Sequence, residues 1–217
     1  MAIIVGIDMS KNSPGVCIRD GNKLSFSSFI RSDEDDTNKR MSKGRKAMLD
    51  HYSSLRKSGV SIISNSRVAT AKEYSDLEVW KIFDASQLAH TIVQNLPDNA
   101  DFIGIEGFSY GSKGNAGLDI AGYAYCLRKE LFEKYGQIKL CIFSPANVKK
   151  MAGKGNANKE AIMEYFITST NKDLRETEFW KGIISGEIHK EKPVDDIIDA
   201  FYVQECALKL YSERILS

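Results

Sequence analysis

The sequence has few cysteines and histidines, and neither residue type forms a recognisable metal or disulfide pattern. The four cysteines are widely separated and contain no C-x-x-C pair, at Cys17, Cys126, Cys141 and Cys206. The three histidines are equally scattered, at His51, His90 and His189. We therefore expect reduced thiols in a cytoplasmic protein, and neither a zinc site nor a disulfide framework.

The sequence also lacks a long apolar run and a secretory signal. No apolar stretch approaches the roughly 18 residues that a membrane-spanning helix needs. The first residues have no basic region, and their short apolar run ends at Asp8, which is typical of a buried strand rather than of a signal peptide. Because 217 residues are enough for one well-buried domain, we predict a single domain over 1–217 with no membrane part.

The chain has almost no net charge, but its charged residues are unevenly distributed. The formal net charge is +1, whereas residues 37–72 contain nine basic side chains and a single acid, Asp50, so that this segment carries +8 and the remainder −7. A basic segment on a mildly acidic body is typical of proteins that contact a phosphate backbone. It is equally typical of a solvated, lysine-rich helix, so the charge alone leaves both interpretations open.

The hydrophobic pattern predicts an α/β domain that opens with a meander of three antiparallel strands. Apolar runs at 2–8, 16–18 and 24–30 are separated by a turn cluster and by a tight turn at 20–22. Two further strands are predicted at 101–106 and 138–143, and helices at 39–57, 74–95, 116–135, 144–149, 159–167 and 193–211. This order predicts one mixed sheet of five strands, the meander plus parallel strands, flanked by helices.

Four acidic side chains stand where a buried strand ends or a helix begins. Asp8 ends the first strand and Glu106 the fourth, whereas Asp196 and Asp199 lie three residues apart at the start of the last helix and share a face. Strand ends and a helix start can meet at one edge of a sheet, and clustered carboxylates supply the oxygen ligands that Mg²⁺ prefers. Two such ions, about 3.5–4 Å apart, can activate water and stabilise the leaving oxygen of a phosphodiester.

Each of these acids also has an ordinary structural explanation when it is taken singly. Asp8 could cap a turn, Glu106 could be a solvated strand end, and the acids of the last helix could complement the helix dipole. The prediction of a metal site therefore depends on the whole set and its order. Asp195 remains an alternative to Asp196, because it lies four residues before Asp199 and shares a face with it nearly as well.

The order of these acids resembles that of the RuvC-like resolvases, nucleases of the RNase H-like superfamily. The matching segments are Gly6-Ile-Asp8, Ile105-Glu106 and Asp196-Ile-Ile-Asp199-Ala200, the last of which is similar to the D-x-x-D-A motif of that family. The resemblance covers the first hairpin and residues 101–211, apart from a segment at about 171–192. It also leaves out the segment at about 31–75, which contains most of the basic run. We interpret both segments as insertions.

A second segment resembles the same family more specifically. Residues 145–160 are similar to the V-K…G-x-G-x-A-x-K segment, whose two lysines help to hold phosphates; here they correspond to Lys149, with Lys150 as an alternative, and to Lys159. The family places an aromatic wedge just after the glutamate, which corresponds to Phe108 or, alternatively, Tyr110; ordinary packing under the loop would explain these aromatics as well. The predicted DNA-contacting set is Phe108, Tyr110, Lys113, Lys149, Lys150, Lys154 and Lys159, together with Lys39, Arg40, Lys43, Arg45 and Lys46 of the basic segment.

The resemblance implies an RNase H-like fold and an Mg²⁺-dependent endonuclease that cuts four-way DNA junctions. By resemblance, Asp8, Glu106, Asp196 and Asp199 hold two Mg²⁺ ions per site, for which Mn²⁺ is a possible substitute, and Lys159 stabilises phosphate charge. Paired cuts in a nearly two-fold junction imply a homodimer, for which the helix at about 116–135 is the predicted interface. Ordinary core packing is the other explanation for the small residues of that helix.

Three other functions are alternatives to a junction-resolving nuclease. A nuclease of the same fold could act on RNA–DNA hybrids or on branched forks, and a silent junction-binding protein could keep the acids without cleaving. The Gly6-Ile-Asp8 opening also occurs in ATP-binding proteins of the sugar-kinase and actin type. That class predicts a second phosphate hairpin and a glycine-rich adenosine motif, and the sequence has neither.

Overall fold

A computed structural model describes residues 2–30, 43–65, 73–107, 115–153, 155–168, 172–189 and 192–216. Six strands form one mixed sheet: β1 (Ile3–Asp8), β2 (Gly15–Asp20), β3 (Lys23–Ile30), β4 (Val60–Ser64), β5 (Phe102–Glu106) and β6 (Leu140–Phe143). Their spatial order is β4-β3-β2-β1-β5-β6.

The first three strands form the predicted antiparallel meander, and the parallel part of the sheet extends from its first strand. β1 pairs antiparallel with β2, which pairs antiparallel with β3. β1 also pairs with β5 in parallel, and β5 with β6. This five-strand core, with its order and directions, is that of the RNase H-like fold, and the predicted fold class is confirmed.

A sixth strand, β4, adds to the five that the sequence pattern predicts. It pairs in parallel with β3 at the edge of the sheet, from Val60 opposite Phe26 to Ser64 opposite Ile30. Gly59, which precedes it, has φ +85°, a conformation that favours glycine and turns the chain from the preceding helix into the strand. The prediction missed β4 because its short Val-Ser-Ile-Ile-Ser run lies within a segment interpreted only by its charge.

Eight helices are described, and they cover both faces of the sheet. They are α1 (Lys43–Lys57), α2 (Tyr74–Gln94), α3 (Asn115–Tyr135), α4 (Pro145–Met151), α5 (Lys159–Thr168), α6 (Lys172–Glu176), α7 (Glu178–Ser185) and α8 (Val194–Leu216). A 3₁₀ turn at Gln137–Lys139 precedes β6. Within the described ranges, none of these helices combines the length and the apolar character that crossing a bilayer requires.

Alternate residues of the central strands supply two separate cores. On one face, Val5, Ile7 and Val16 pack with apolar residues of α2 and α3, such as Leu88 and Leu127. On the opposite face, strand residues including Phe26 and Ile30 pack against α8 and its neighbouring helices. This division follows from the period of two along each strand, and it leaves α8 as the helix that packs over β1 and β2.

The two segments that the sequence pattern marks as insertions meet on the α8 face of the sheet. The end of α1 approaches α7, since a Cβ on Gly59 would lie 3.4 Å from the Cβ of Glu178. Phe179 of α7 packs on Phe26 of β3, with ring centroids 5.0 Å apart, and Trp180 is almost fully buried. The insertions therefore extend the hydrophobic core of the domain on this side.

Candidate active site

Asp8 and Glu106 lie side by side because two neighbouring parallel strands end at the same edge of the sheet. Ile7 of β1 is in register with Ile105 of β5, and each acid is the next and last residue of its strand. The carboxyl ends of parallel strands are where α/β proteins most often build their sites. The 98 residues that separate the two acids in the chain are therefore no obstacle to their meeting.

Two glycines allow α8 to bring a third acid to the same edge. A Cβ on Gly6 would lie 2.2 Å from the backbone nitrogen of Gln204, and one on Gly15 would lie 2.0 Å from the carbonyl oxygen of Asp196. Only a residue without a Cβ permits such an approach of helix and strand backbones. The contact fixes the height of α8 over β1 and β2, and Asp199, in the second turn of the helix, then faces the strand ends.

The three carboxylates form one compact cluster. Asp8, Glu106 and Asp199 each offer an oxygen, and these three oxygens lie within 4.8 Å of one another. All three residues are partly buried. Among the residues that the structure describes, this is the group of acids, histidines or cysteines with the spacing of a metal site. Such a set of hard oxygen donors fits Mg²⁺.

The proximity of three acids perturbs the pKa of each one. Burial, followed by the charges of Glu106 and Asp199, raises the pKa of Asp8 well above its usual value. Burial and then the charge of Glu106 raise the pKa of Asp199 to about 7. Burial also raises the pKa of Glu106, although a hydrogen bond from Asp8 and the positive charge of Lys149 oppose the shift. A bound cation would relieve this repulsion, which is a second indication that the cluster is built for one.

Asp196 lies beside the cluster, and its carboxylate is held by other side chains. It is almost fully buried, and its Oδ2 accepts hydrogen bonds from Ser10 Oγ, at 3.1 Å, and from Ser13 Oγ. Its Oδ1 accepts from Lys192 Nζ. Ser10, Ser13 and Lys192 are not among the residues predicted from the sequence; the available signal was two hydroxyls in the turn that follows Asp8.

Asp195, the alternative to Asp196, makes an ion pair with Lys159. The Lys159 Nζ and the Asp195 Oδ2 are 2.6 Å apart, and both residues line a narrow cleft together with Asp199. Partial burial acts to lower the pKa of Lys159, but the hydrogen bond to Asp195 and the surrounding acids outweigh it and raise the pKa. Lys159 therefore presents a positive charge at the border of the acidic cluster.

The two candidate lysines of α4 differ in their surroundings. Lys149 is close enough to Glu106 for its charge to oppose the rise in the pKa of that acid. Lys150 instead packs its stem beside Gly155, where an added Cβ would lie 3.3 Å from the Lys150 Cγ. Of the two alternatives, Lys149 is thus the one near the acidic cluster.

Several residues predicted to contact DNA lie outside the described residues. They are Lys39, Arg40, Phe108, Tyr110, Lys113 and Lys154. Lys43 and Arg45 lie in the first turn of α1, and Lys46 is exposed on the same helix. The roles of all these residues remain predictions.

Comparisons with known proteins give similar solved structures but no matching sequence family. No protein-family model matches the chain, and no curated protein matches it. The chain is similar to the structure described as T. thermophilus RuvC in complex with Holliday junction substrate, with 13% sequence identity and a TM-score of 0.44, over 94% of this chain and 91% of that chain. It is also similar to a structure described as Thermus thermophilus RuvC, with 13% identity and a TM-score of 0.43, over 93% and 90% of the two chains.

Proposed function

We propose that the chain is a structure-selective endonuclease that resolves four-way (Holliday) DNA junctions by metal-dependent phosphodiester hydrolysis. The observation that carries this proposal is the convergence of Asp8, Glu106 and Asp199, whose ligand oxygens lie within 4.8 Å of one another at the end of the central strands. A charge-rich, partly buried group of this kind costs stability in the absence of a cation, so its presence favours a catalytic function over a purely structural one.

In this proposal the acidic cluster holds the metal, with Mg²⁺ as the expected ion and Mn²⁺ as a possible substitute. Asp8, Glu106 and Asp199 are the ligands, and Asp196, whose carboxylate lies beside them, completes the acidic set. When bound, two such ions supply Lewis-acid activation of water and neutralise charge on the scissile phosphate. Because the three acids are partly buried, fewer water molecules compete with their carboxylates for the ion.

Lysine side chains bordering the acids would hold the phosphate that reacts. The Lys159 Nζ pairs with Asp195 at 2.6 Å, which directs the ammonium group towards the acidic cluster before DNA binds. Lys149, near Glu106, offers a second positive charge. Charges positioned in advance stabilise the additional negative charge of the transition state more effectively than mobile ones do.

The basic segment is proposed to grip an arm of the junction beside the cut site. β3 runs parallel to β1, with one strand between them, and β4 runs parallel to β3, so the ends of β3 and β4 lie at the same edge of the sheet as Asp8. Ile30 precedes the basic segment of residues 37–72, and Ser64 lies within it. Two points of the chain next to basic residues therefore lie at the same end of the strands as Asp8, which supports the proposal.

A homodimer is proposed because a junction with near two-fold symmetry must be cut twice. The helix predicted to form the interface, α3, exposes large apolar side chains, and so does α2 beside it. Leu118 is 74% exposed, Ile82 66% and Phe83 53%. Ile82 and Leu118 line the same cleft between the two helices, and exposed apolar side chains grouped in this way are typical of a protein contact.

Cleavage of a synthetic mobile junction tests the proposal directly. With Mg²⁺ present, the wild-type chain should introduce symmetric paired nicks, whereas Asp8→Asn should abolish them. Asp20→Asn, which changes an exposed carboxylate at the β2–β3 turn, is the matched control and should cleave like the wild type. Forks, RNA–DNA hybrids and linear duplex serve as competing substrates. Preferred cleavage of one of these substrates would identify it as the substrate in place of the four-way junction. Tight junction binding without any cleavage would identify the chain as a binding protein and not a nuclease.

A further inference from the structure

The turn between β1 and β2 lies between two helices from opposite faces of the sheet. On the α8 side, Ser10 and Ser13 of the turn both donate to Asp196 Oδ2, and the Ser13 backbone N–H donates to Ser10 Oγ at 3.1 Å. Gly15 then packs directly on the backbone of Asp196. These contacts make the turn the support of one carboxylate oxygen of Asp196.

On the α3 side, Met9 packs in the core that α2 and α3 share, and Lys11 reaches α3 with its long side chain. Lys11 Nζ donates to Asp119 Oδ2 at 3.1 Å and lies 5.7 Å from the centre of the Tyr123 ring. The other oxygen of Asp119 pairs with Lys81 of α2 at 3.2 Å. Burial acts to raise the pKa of Asp119, but the hydrogen bonds from Lys11 and Lys81 outweigh it and lower the pKa, so the carboxylate is charged at neutral pH.

We propose that Lys11 is a positioning residue, whose ion pair with Asp119 anchors the β1–β2 turn on α3 so that Ser10 and Ser13 keep the Asp196 carboxylate in place beside the acidic cluster. This inference rests on the proposed function only for its catalytic consequence. The mechanical link from Asp119 to Asp196 through the turn is a property of the chain with or without DNA.

The second anchor of Asp196 shows why the turn should matter. Oδ1 of Asp196 is held by Lys192, whose side chain is 54% exposed. Water therefore competes with Asp196 for the hydrogen bonds of the Lys192 ammonium group. Oδ2 is held by Ser10 and Ser13, and Ser13 is almost fully buried. The buried half of the support thus comes from the turn, and the ion pair of Lys11 with Asp119 is a polar contact that holds the turn to α3.

Hydrogen exchange of the metal-free protein, measured by mass spectrometry on peptides covering the turn, tests the mechanical link. Lys11→Met should speed exchange in residues 9–15 by about tenfold, because the turn opens locally more often. Lys11→Arg keeps the ion pair and should exchange like the wild type. Lys129→Met, which removes an ion pair between Lys129 and Glu133 on the exposed side of the same helix, is the matched control. Unchanged exchange in Lys11→Met would overturn the proposal.

Single-turnover cleavage of the junction tests the catalytic consequence. Lys11→Met and Asp119→Asn should each lower the cleavage rate by about tenfold without changing the dissociation constant for the junction, because misplaced catalytic groups slow the chemical step. The double variant should be no slower than Asp119→Asn alone, since both changes break the same link. Additive losses, or faster exchange with an unchanged cleavage rate, would overturn the proposal.

Two measurements distinguish a positioning role of Lys11 from a role in subunit contact and from a failure of the proposed function. Asp119 lies in the cleft between α2 and α3, next to the proposed dimer surface, so the mass in solution is measured for each variant. A lower mass that accompanies the slower cleavage would assign Lys11 to subunit contact and overturn its positioning role. If the wild type cleaves no branched DNA, the proposed function fails, whereas the exchange result still decides whether Lys11 holds the turn.

Discussion

Replacing Asp199 with asparagine should stabilise the metal-free protein at alkaline pH, although it removes a proposed metal ligand. Burial and the charge of Glu106 raise the pKa of Asp199 to about 7. At a pH between 3.8, the usual pKa of an aspartate, and about 7, the folded protein binds more protons than the unfolded chain. The free energy of unfolding therefore falls as the pH rises through this window, and it stays low above it. Asparagine carries no charge and avoids this loss.

The size of the effect follows from the pKa shift. One pKa unit corresponds to about 1.4 kcal/mol, so the shift of Asp199 costs on the order of 4 kcal/mol at pH 8 and about 2 kcal/mol at pH 5. Asp8 shares the repulsion, because the charge of Asp199 contributes to the raised pKa of Asp8, and Asp8 gains when the charge at position 199 is removed. The stability advantage of Asp199→Asn over the wild type should thus be larger at pH 8 than at pH 5.

Urea denaturation in the presence of EDTA, at pH 5 and pH 8, measures this difference. Asp50→Asn, which changes an exposed carboxylate on α1, should show no such dependence on pH. Free Mg²⁺ at 100 times its dissociation constant should stabilise the wild type by about 2.7 kcal/mol, and the variant by less. A variant that is less stable than the wild type at pH 8 in EDTA would refute the reasoning, because the three acids would then not repel one another.

Four other predictions follow from the same structure. Gly6→Ala should lower the free energy of unfolding by about 2–3 kcal/mol in thermal denaturation, because its Cβ would meet the backbone of Gln204 at 2.2 Å; an unchanged midpoint would contradict the close contact of helix and strand. Lys159→Met should slow single-turnover cleavage about 10²-fold with little change in junction affinity, and wild-type rates would exclude its role. Lys46→Gln should lower the slope of log affinity against log salt concentration by about 1, whereas Lys129→Gln should not. Leu118→Glu should halve the mass in ultracentrifugation if α3 forms the dimer, and an unaltered mass would exclude that surface.

The sequence pattern predicts most of the fold because the signals that specify it are local. The alternation of apolar residues in β1 to β3, together with the tight turn at Gly21, is enough to predict the meander. The small residues Gly6 and Ala200 belong to the segments Gly6-Ile-Asp8 and Asp196-Ile-Ile-Asp199-Ala200. The structure gives a physical reason for their small size, since both lie where α8 touches β1. The cluster of Asp8, Glu106 and Asp199 follows from that contact.

The parts that the sequence pattern does not predict depend on contacts between distant segments. β4 is five residues long and gains its stability from pairing with β3, a partner that the Val-Ser-Ile-Ile-Ser run does not itself specify. The polar segment that contains α7 is predicted only as an insertion without an assigned structure, although Phe179 and Trp180 are almost fully buried. Their packing partner Phe166 lies in α5, on the other side of a polar stretch of the chain.

The surroundings of Asp196 illustrate why a motif predicts a position better than a role. The three-residue spacing to Asp199 places both acids on one face of α8, and a motif contains no more information than that. Whether such an acid faces a metal or a hydrogen-bond donor depends on what the opposing strand carries. Here the turn after β1 presents Ser10 and Ser13 to Asp196, whereas Asp8 and Glu106 are the residues nearest to Asp199. Two acids one helical turn apart can therefore differ in function because the sheet edge beneath them changes from hydroxyls to carboxylates.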